Sequence, residues 1–251
     1  MSDLIKDYRP LNRPPGTLTA VPGEDSTARI HLLEYRGEQI NVVEISGLEQ
    51  LAQQLADGHP ASAVTWVHVV GLGDMRTMQG LAEMFKLHPL AMEDVTHLGQ
   101  RSKVEAYDNQ LQFVVLQHLA FTQDEVKVTQ VALFVGKDFV VSFQPGGTDL
   151  FEPLRSRICE TQGRIHERGA DYLAYIIIDL VIDTAFPVLE ALGEQLDTLE
   201  DNVVNRPAPN VINTIYQLQR QLLNLRRVLW PQREVLSRLM RDDLGFISTE
   251  M

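Results

Sequence analysis

Two adjacent carboxylates, Glu93 and Asp94, stand in the otherwise apolar run HPLAMEDV at 88–95. They are hard oxygen donors of the kind magnesium or calcium takes, although such a pair near a helix end also serves as a cap or sits in solvent. Asp179 and Asp183 lie four apart inside the most apolar stretch of the chain. A carboxylate withdrawn from water there needs an arginine, a hydroxyl or a metal as its partner. A third acidic set follows: Glu190, Glu194, Asp197 and Asp201 fall on one stripe at helical spacing. That stripe either gathers cations diffusely or is a plain solvated face.

Other chemistries find little support. Gly71 and Gly73 begin a Gly-x-Gly after an apolar run, but no third glycine follows at the dinucleotide spacing. No Walker loop, HExxH pair, paired-cysteine zinc spacing or Gly-x-Ser-x-Gly elbow occurs in the sequence. His88 and His97 bracket a helix and are read as structural or solvent-facing, since two histidines without partners rarely hold a metal. Nothing in the linear sequence pairs a nucleophile with a base, so the chain is not expected to be an enzyme. The single Cys159 excludes an internal disulfide, fits a reducing compartment and is read as a small apolar filler.

The net charge of −12 speaks against nucleic acid or an anionic membrane surface as partner. The N-terminal MSDLIKDYRPLNRPPG lacks the apolar core of a secretory signal. Tyr172 to Val188 is interrupted by Asp179 and Asp183, which argues against a membrane span.

The elements that must position these groups follow from periodicity. Residues 1–27 are polar and rich in proline and glycine, a loosely ordered lead-in. Residues 28–36 and 39–45 read as a strand hairpin, 49–56 as a short helix and VTWVHVV (64–70) as a buried strand. Helical spacing covers 74–85, and Pro89 suits the first turn of another helix to about His97. Strands are expected at 104–107, 110–121, 126–135 and 138–143. A further helix has Asp149 as N-cap and Glu152 three residues on. The domain spans 28–168.

From 169 to 242 the period changes to three and four, predicting two long helices in an antiparallel hairpin with RPAP (206–209) as the turn. In its first arm, 170–205, eight acids meet no lysine or arginine. The second arm carries Arg220, Arg226, Arg227, Arg233, Arg238 and Arg241 against Glu234, until Asp242 and Asp243. Neutralisation across the hairpin explains part of this, yet the half near the turn stays acidic. Pro187 removes a backbone hydrogen bond toward Asp183 and should kink the first arm, and Gln232 fills a gap in the apolar seam of the second.

HPLAMEDVTHLGQRSKVEAYDN (88–109), ADYLAYIIIDLVID (170–183), LRRVLWPQREVLSRLMRD (225–242) and TWVHVVGL (65–72) resemble, in order and spacing, the CorA magnesium transporter family. The resemblance implies an α/β fold, an α/β/α sandwich with a mixed sheet followed by the long helical hairpin. It implies a homo-oligomer, a pentamer in the full-length protein, on the cytoplasmic face of the inner membrane. Regulatory magnesium would sit between subunits on Glu93, Asp94 and Asp179, completed by a neighbour's stalk aspartate, with Co, Zn or Ca able to take its place. Residues 243–251 are then expected to be the truncated start of a segment toward the stalk, ahead of both membrane helices and the Gly-Met-Asn signature. Ser102, where the family commonly has proline, and Pro187 depart from the pattern. The competing readings are a zinc or cobalt transporter of the same fold, and an acidic helical-hairpin scaffold that docks a basic partner.

Overall fold

The computed structural model describes residues 14–19, 21, 23, 24, 27–56, 63–107, 111–160, 164–205 and 211–241. Among the described residues seven strands form one sheet: β1 (Arg29–Arg36), β2 (Gln39–Ile45), β3 (Val64–Val70), β4 (Lys103–Tyr107), β5 (Leu111–Thr122), β6 (Glu125–Val135) and β7 (Phe139–Gln144). Their order is β2-β1-β3-β7-β6-β5-β4. All neighbours run antiparallel except β3 and β7, which are parallel and so make the sheet mixed.

Alternation along the strands sorts side chains onto two faces. On one face Trp66, Val114, Leu116, Val131, Leu133 and Val140 are buried under α4 (Glu152–Glu160), α5 (Ala170–Asp183) and the last turns of α7 (Val211–Met240). On the other, Val67, Val69, Phe113, Phe134 and Phe143 are covered by α1 (Leu48–Ala56), α2 (Met75–Met84) and α3 (Pro89–Thr96). Each cluster is a continuous apolar core between the sheet and one helical layer, which makes an α/β/α sandwich.

The part of the lead-in that is described makes specific contacts. Val21 is buried in the α1–α3 core and Leu18 packs against it. Glu24 Oε2 accepts from the backbone N–H of Leu72 at 3.1 Å and of Gly146 at 2.6 Å, tying this segment to two loops.

The long first arm is interrupted. α5 ends at Asp183, Thr184 takes φ −62° and ψ −13°, and α6 (Ala185–Asn205) resumes beyond it. This is the kink expected from Pro187, whose missing N–H leaves the Asp183 carbonyl without its helical partner. Ala170–Val203 is long enough to cross a membrane and holds an 18-residue stretch apolar enough to do so, with a mean hydropathy of 1.8, of which 39% is buried. The buried share packs on the sheet through Leu173, Ala174, Ile177, Ile178 and Val181. α6 and α7 pack through Val188, Leu192, Leu218 and Leu225, joined by Leu119 of β5. The turn expected at 206–209 lies outside the described residues.

Because β4 is much shorter than β5, the edge of β5 beyond Val115 has no strand partner among the described residues. Side chains supply acceptors instead. Thr184 Oγ1 accepts from Leu119 N at 3.0 Å, and Gln232 Oε1 accepts from Gln117 N at 3.0 Å. Gln232 therefore sits in the apolar seam of α7, 2% exposed, as a substitute for a sheet neighbour.

Candidate divalent-cation site

Helix α3 begins at His88, whose Nδ1 accepts from Leu90 N at 3.3 Å, with Pro89 in the first turn. The His88 ring stacks on Tyr107 at 4.4 Å, so this histidine is a cap and a packing surface. Ala91, Met92 and Val95 face the core and carry Asp94 into it, leaving that residue 7% exposed.

The carboxylate of Asp94 is already matched by a cation. Lys103 Nζ lies 2.7 Å from Asp94 Oδ2 and 3.0 Å from each carboxylate oxygen of Glu105. Period-two alternation places Lys103 and Glu105 on the α3 side of edge strand β4, while Val104 enters the opposite core. The ammonium also lies 5.6 Å from the centre of the Phe113 ring. Tyr107 donates to Glu105 Oε2 at 2.8 Å. Burial penalises the Lys103 charge, but its bonds to Asp94 and Glu105 outweigh that and raise its pKa above the ordinary lysine value. Burial pushes Glu105 up as well, and the contacts with Lys103 and Tyr107 reverse it.

Glu93, next to Asp94, is turned elsewhere. Its Oε2 accepts from Gly16 N at 2.7 Å. Gly16 has φ +81°, and a Cβ there would come within 2.9 Å of Pro89 Cβ, so the close approach needs glycine. Asp179 and Asp183 are not withdrawn into the core. Both are exposed on the outer side of α5, opposite the buried Ile177, Ile178 and Val181. Partial burial and the nearby Asp183 raise the Asp179 pKa, against Arg157. Glu93 and Asp94 therefore lie in one outer layer of the sandwich and Asp179 in the other, and a single chain does not bring them together.

Glu190, Glu194, Asp197 and Asp201 are all exposed along α6. Glu194 borders a groove of about 750 Å³ between α6, α7 and the β5–β6 turn, with Asp124 and several glutamines and threonines. Among the described residues no group of three or more His, Cys, Asp or Glu side chains is placed to hold a metal. Cys159, expected as a filler, is exposed.

A chain of amides leads away from Asp94. Gln130 Nε2 donates to the Asp94 carbonyl at 2.9 Å, and Gln130 Oε1 accepts from Gln100 N at 2.9 Å. The Gln100 carbonyl accepts from Gln117 Nε2 at 2.6 Å, and Gln117 N donates to Gln232 on α7. These glutamines connect α3 with α7 through the sheet edge.

A second polar cluster, which linear sequence did not suggest, lies on the opposite face. Asp149 caps α4 by accepting from Phe151 N at 2.9 Å and pairs with Arg155. His68 Nε2 lies 3.2 Å and His31 Nε2 3.4 Å from its oxygens. Trp66 donates to Ser142 Oγ at 2.9 Å, and Ser142 Oγ lies 2.7 Å from His68 Nδ1. Serine, histidine and aspartate thus do stand in line. Ser142 and His68 are each 0% exposed, so no substrate reaches the hydroxyl and the line is a core network. Burial pushes Asp149 up, but His68 and then Arg155 prevail and hold its carboxyl well below the usual range. Burial keeps His68 below the ordinary histidine value.

The chain matches the model of the CorA-like Mg2+ transporter family over residues 61–251. It is 34% identical over 239 residues to the Cobalt/magnesium transport protein CorA of Thermotoga maritima, covering 94% of this chain and 67% of that protein. The soluble domain of CorA from Methanocaldococcus jannaschii has the same fold, with a TM-score of 0.66 at 17% identity over 87% of this chain and 82% of that one. The cytoplasmic domain of ZntB from Vibrio parahaemolyticus shares it too, with a TM-score of 0.64 at 13% identity over 86% of this chain and 82% of that one. The chain spans about two thirds of the Thermotoga protein and 63% of a second curated relative, a putative metal ion transporter of Bacillus subtilis. With this fold and a match across most of its length, the chain belongs to the CorA-like Mg2+ transporter family, a family of transporters and not of enzymes.

Proposed function

We propose that this chain is the soluble, divalent-cation-sensing part of a CorA-type magnesium transporter on the cytoplasmic face of the inner membrane. In this reading regulatory magnesium is held between subunits by Asp94 and Glu93 of one copy and Asp179 of another. The observation that carries it is Asp94: a carboxylate 7% exposed whose oxygen is already bound to a cation, the ammonium of Lys103. A pocket that seats a stand-in cation on hard oxygen donors suits magnesium or calcium better than zinc, which favours nitrogen and sulfur. The donor set therefore favours magnesium over the zinc-transporting alternative.

The placement of Asp179 supports a site shared between copies. Carboxylates in opposite layers of one subunit can meet across a contact between copies, and a head-to-tail contact whose rotation closes makes a ring. A pentamer is the ring that the family resemblance implies. When bound, magnesium supplies two positive charges and an octahedral demand for oxygen. The chain supplies carboxylates that would otherwise repel across the interface, so ion occupancy favours the closely packed arrangement of subunits.

The test is thermal melting over a magnesium series at constant ionic strength. A ligand present at its Kd stabilises by about 0.4 kcal/mol, roughly 1 °C for a chain of this size. The melting temperature is expected to rise saturably at concentrations on the order of millimolar, and Asp94→Asn is expected to abolish most of the rise. A full rise in Asp94→Asn would contradict the assignment.

A further inference from the structure

Resting on the cation site proposed above, we infer that Lys103 is the built-in competitor of that site. Its ammonium holds Asp94 in the metal-free chain, and a divalent ion binds Asp94 only by displacing it onto Glu105 alone.

The geometry supplies both seats. The ammonium spans Asp94 Oδ2 at 2.7 Å and the two Glu105 oxygens at 3.0 Å, so it can leave the first carboxylate and remain paired with the second. Glu105 is fixed by the Tyr107 hydroxyl, and its side chain is 38% exposed, so it can carry the charge without further burial. The Lys103 side chain is 27% exposed on a long flexible stem, and its movement requires no change in the β4 backbone. Sharing is disfavoured by charge. Magnesium binds a carboxylate oxygen at about 2.1 Å, which would leave the two cations roughly 4 Å apart on one group. At that separation their repulsion is several-fold stronger beside a protein than in water.

Two consequences follow. Asp94 is never left as an uncompensated buried charge, because one cation leaves as the other arrives. The affinity for the divalent ion is lowered by the free energy of the lysine pair, which sets the concentration at which the site fills.

Isothermal titration of the 251-residue chain with magnesium chloride at constant ionic strength tests this in the wild type, Lys103→Met, Lys103→Gln, Lys103→Arg and Asp94→Asn. Lys103→Met and Lys103→Gln are expected to bind about tenfold or more tightly than the wild type, and Lys103→Arg no more tightly. A Met variant that folds only after magnesium is added supports the inference too, because its Asp94 would lack any other cation. Wild-type affinity in the Gln variant, whatever the Met variant does, overturns the inference. The cation site itself still stands in that case if wild-type binding is lost in Asp94→Asn. Binding that is indifferent to Asp94→Asn in every background overturns both.

Discussion

Asp94 is buried and Asp149 half-buried, each a carboxylate paired with a cation on opposite faces of one sheet, and they differ in how readily the partner can leave. Asp149 is matched by Arg155 from the helix it caps, with side chains only 10% and 8% exposed, and is enclosed by His31 and His68. The planar guanidinium contacts both carboxylate oxygens, which locks the pair. Asp94 is matched by a lysine on an edge strand, 27% exposed and shared with Glu105. The same charge chemistry makes a fixed strut in one place and an exchangeable seat in the other.

The largest effect is expected at the strut. Arg155→Met removes one member of a buried pair and should cost about 3–5 kcal/mol, unchanged by magnesium. Chemical denaturation with and without the metal checks this, and rescue by magnesium would erase the distinction between the two regions. The pH dependence has the same origin. Asp149 has a depressed native pKa, so its contribution is complete above the unfolded carboxylate value near 4 and is lost as pH falls below it. His68 also has a lowered native pKa, and its neutral form is fully favoured only above about pH 6.5. Stability should therefore fall on acidification below about pH 6.5 and more steeply below about 4. Melting scans from neutral to acid pH should show a shallower acid limb in Asp149→Asn.

A smaller loss is expected where the two faces are linked. Gln232→Leu deprives Gln117 N of its acceptor, a loss of about 1–3 kcal/mol. Removing Gln232 Nε2, which is buried without a partner among the described residues, offsets part of it, leaving a net cost of about 1 kcal/mol. Faster amide exchange confined to Gln117 and its neighbours would confirm that the side chain replaces a strand.

These contrasts were unevenly legible in the sequence. A continuous apolar, β-branched run located β3, the β1–β2 hairpin was placed to within a residue, and Pro187 announced the break at Thr184, because these signals are local. Asp179 could have been placed on the outer side of α5 from the helical period of Leu173, Ala174, Ile177, Ile178 and Val181; the apolarity of the whole stretch masked that face. Lys103 and Glu105 were inside a segment singled out for its resemblance, yet their role depends on β4 lying beside α3, which no local pattern encodes. The convergence of His31, His68, Ser142 and Asp149 likewise depends on strand order, since β3 and β7 become neighbours only through a parallel crossover.

The smallest effect is expected at the tip. Glu194→Gln, Asp197→Asn and Asp201→Asn together should change stability by no more than about 0.5 kcal/mol and leave the saturable magnesium response intact, because these groups are exposed. Loss of that response in the triple variant would move the sensor from α3 to α6.

The central claim, that Asp94 exchanges its cation and Asp149 does not, is tested most directly by manganese titration followed through amide resonances at constant ionic strength. Paramagnetic broadening is expected first, and saturably, at Glu93, Asp94, Lys103 and Glu105, with Asp149 to Arg155 unaffected. Broadening that begins along Glu190 to Asp201, or that reaches Asp149 as early as Asp94, would contradict the account.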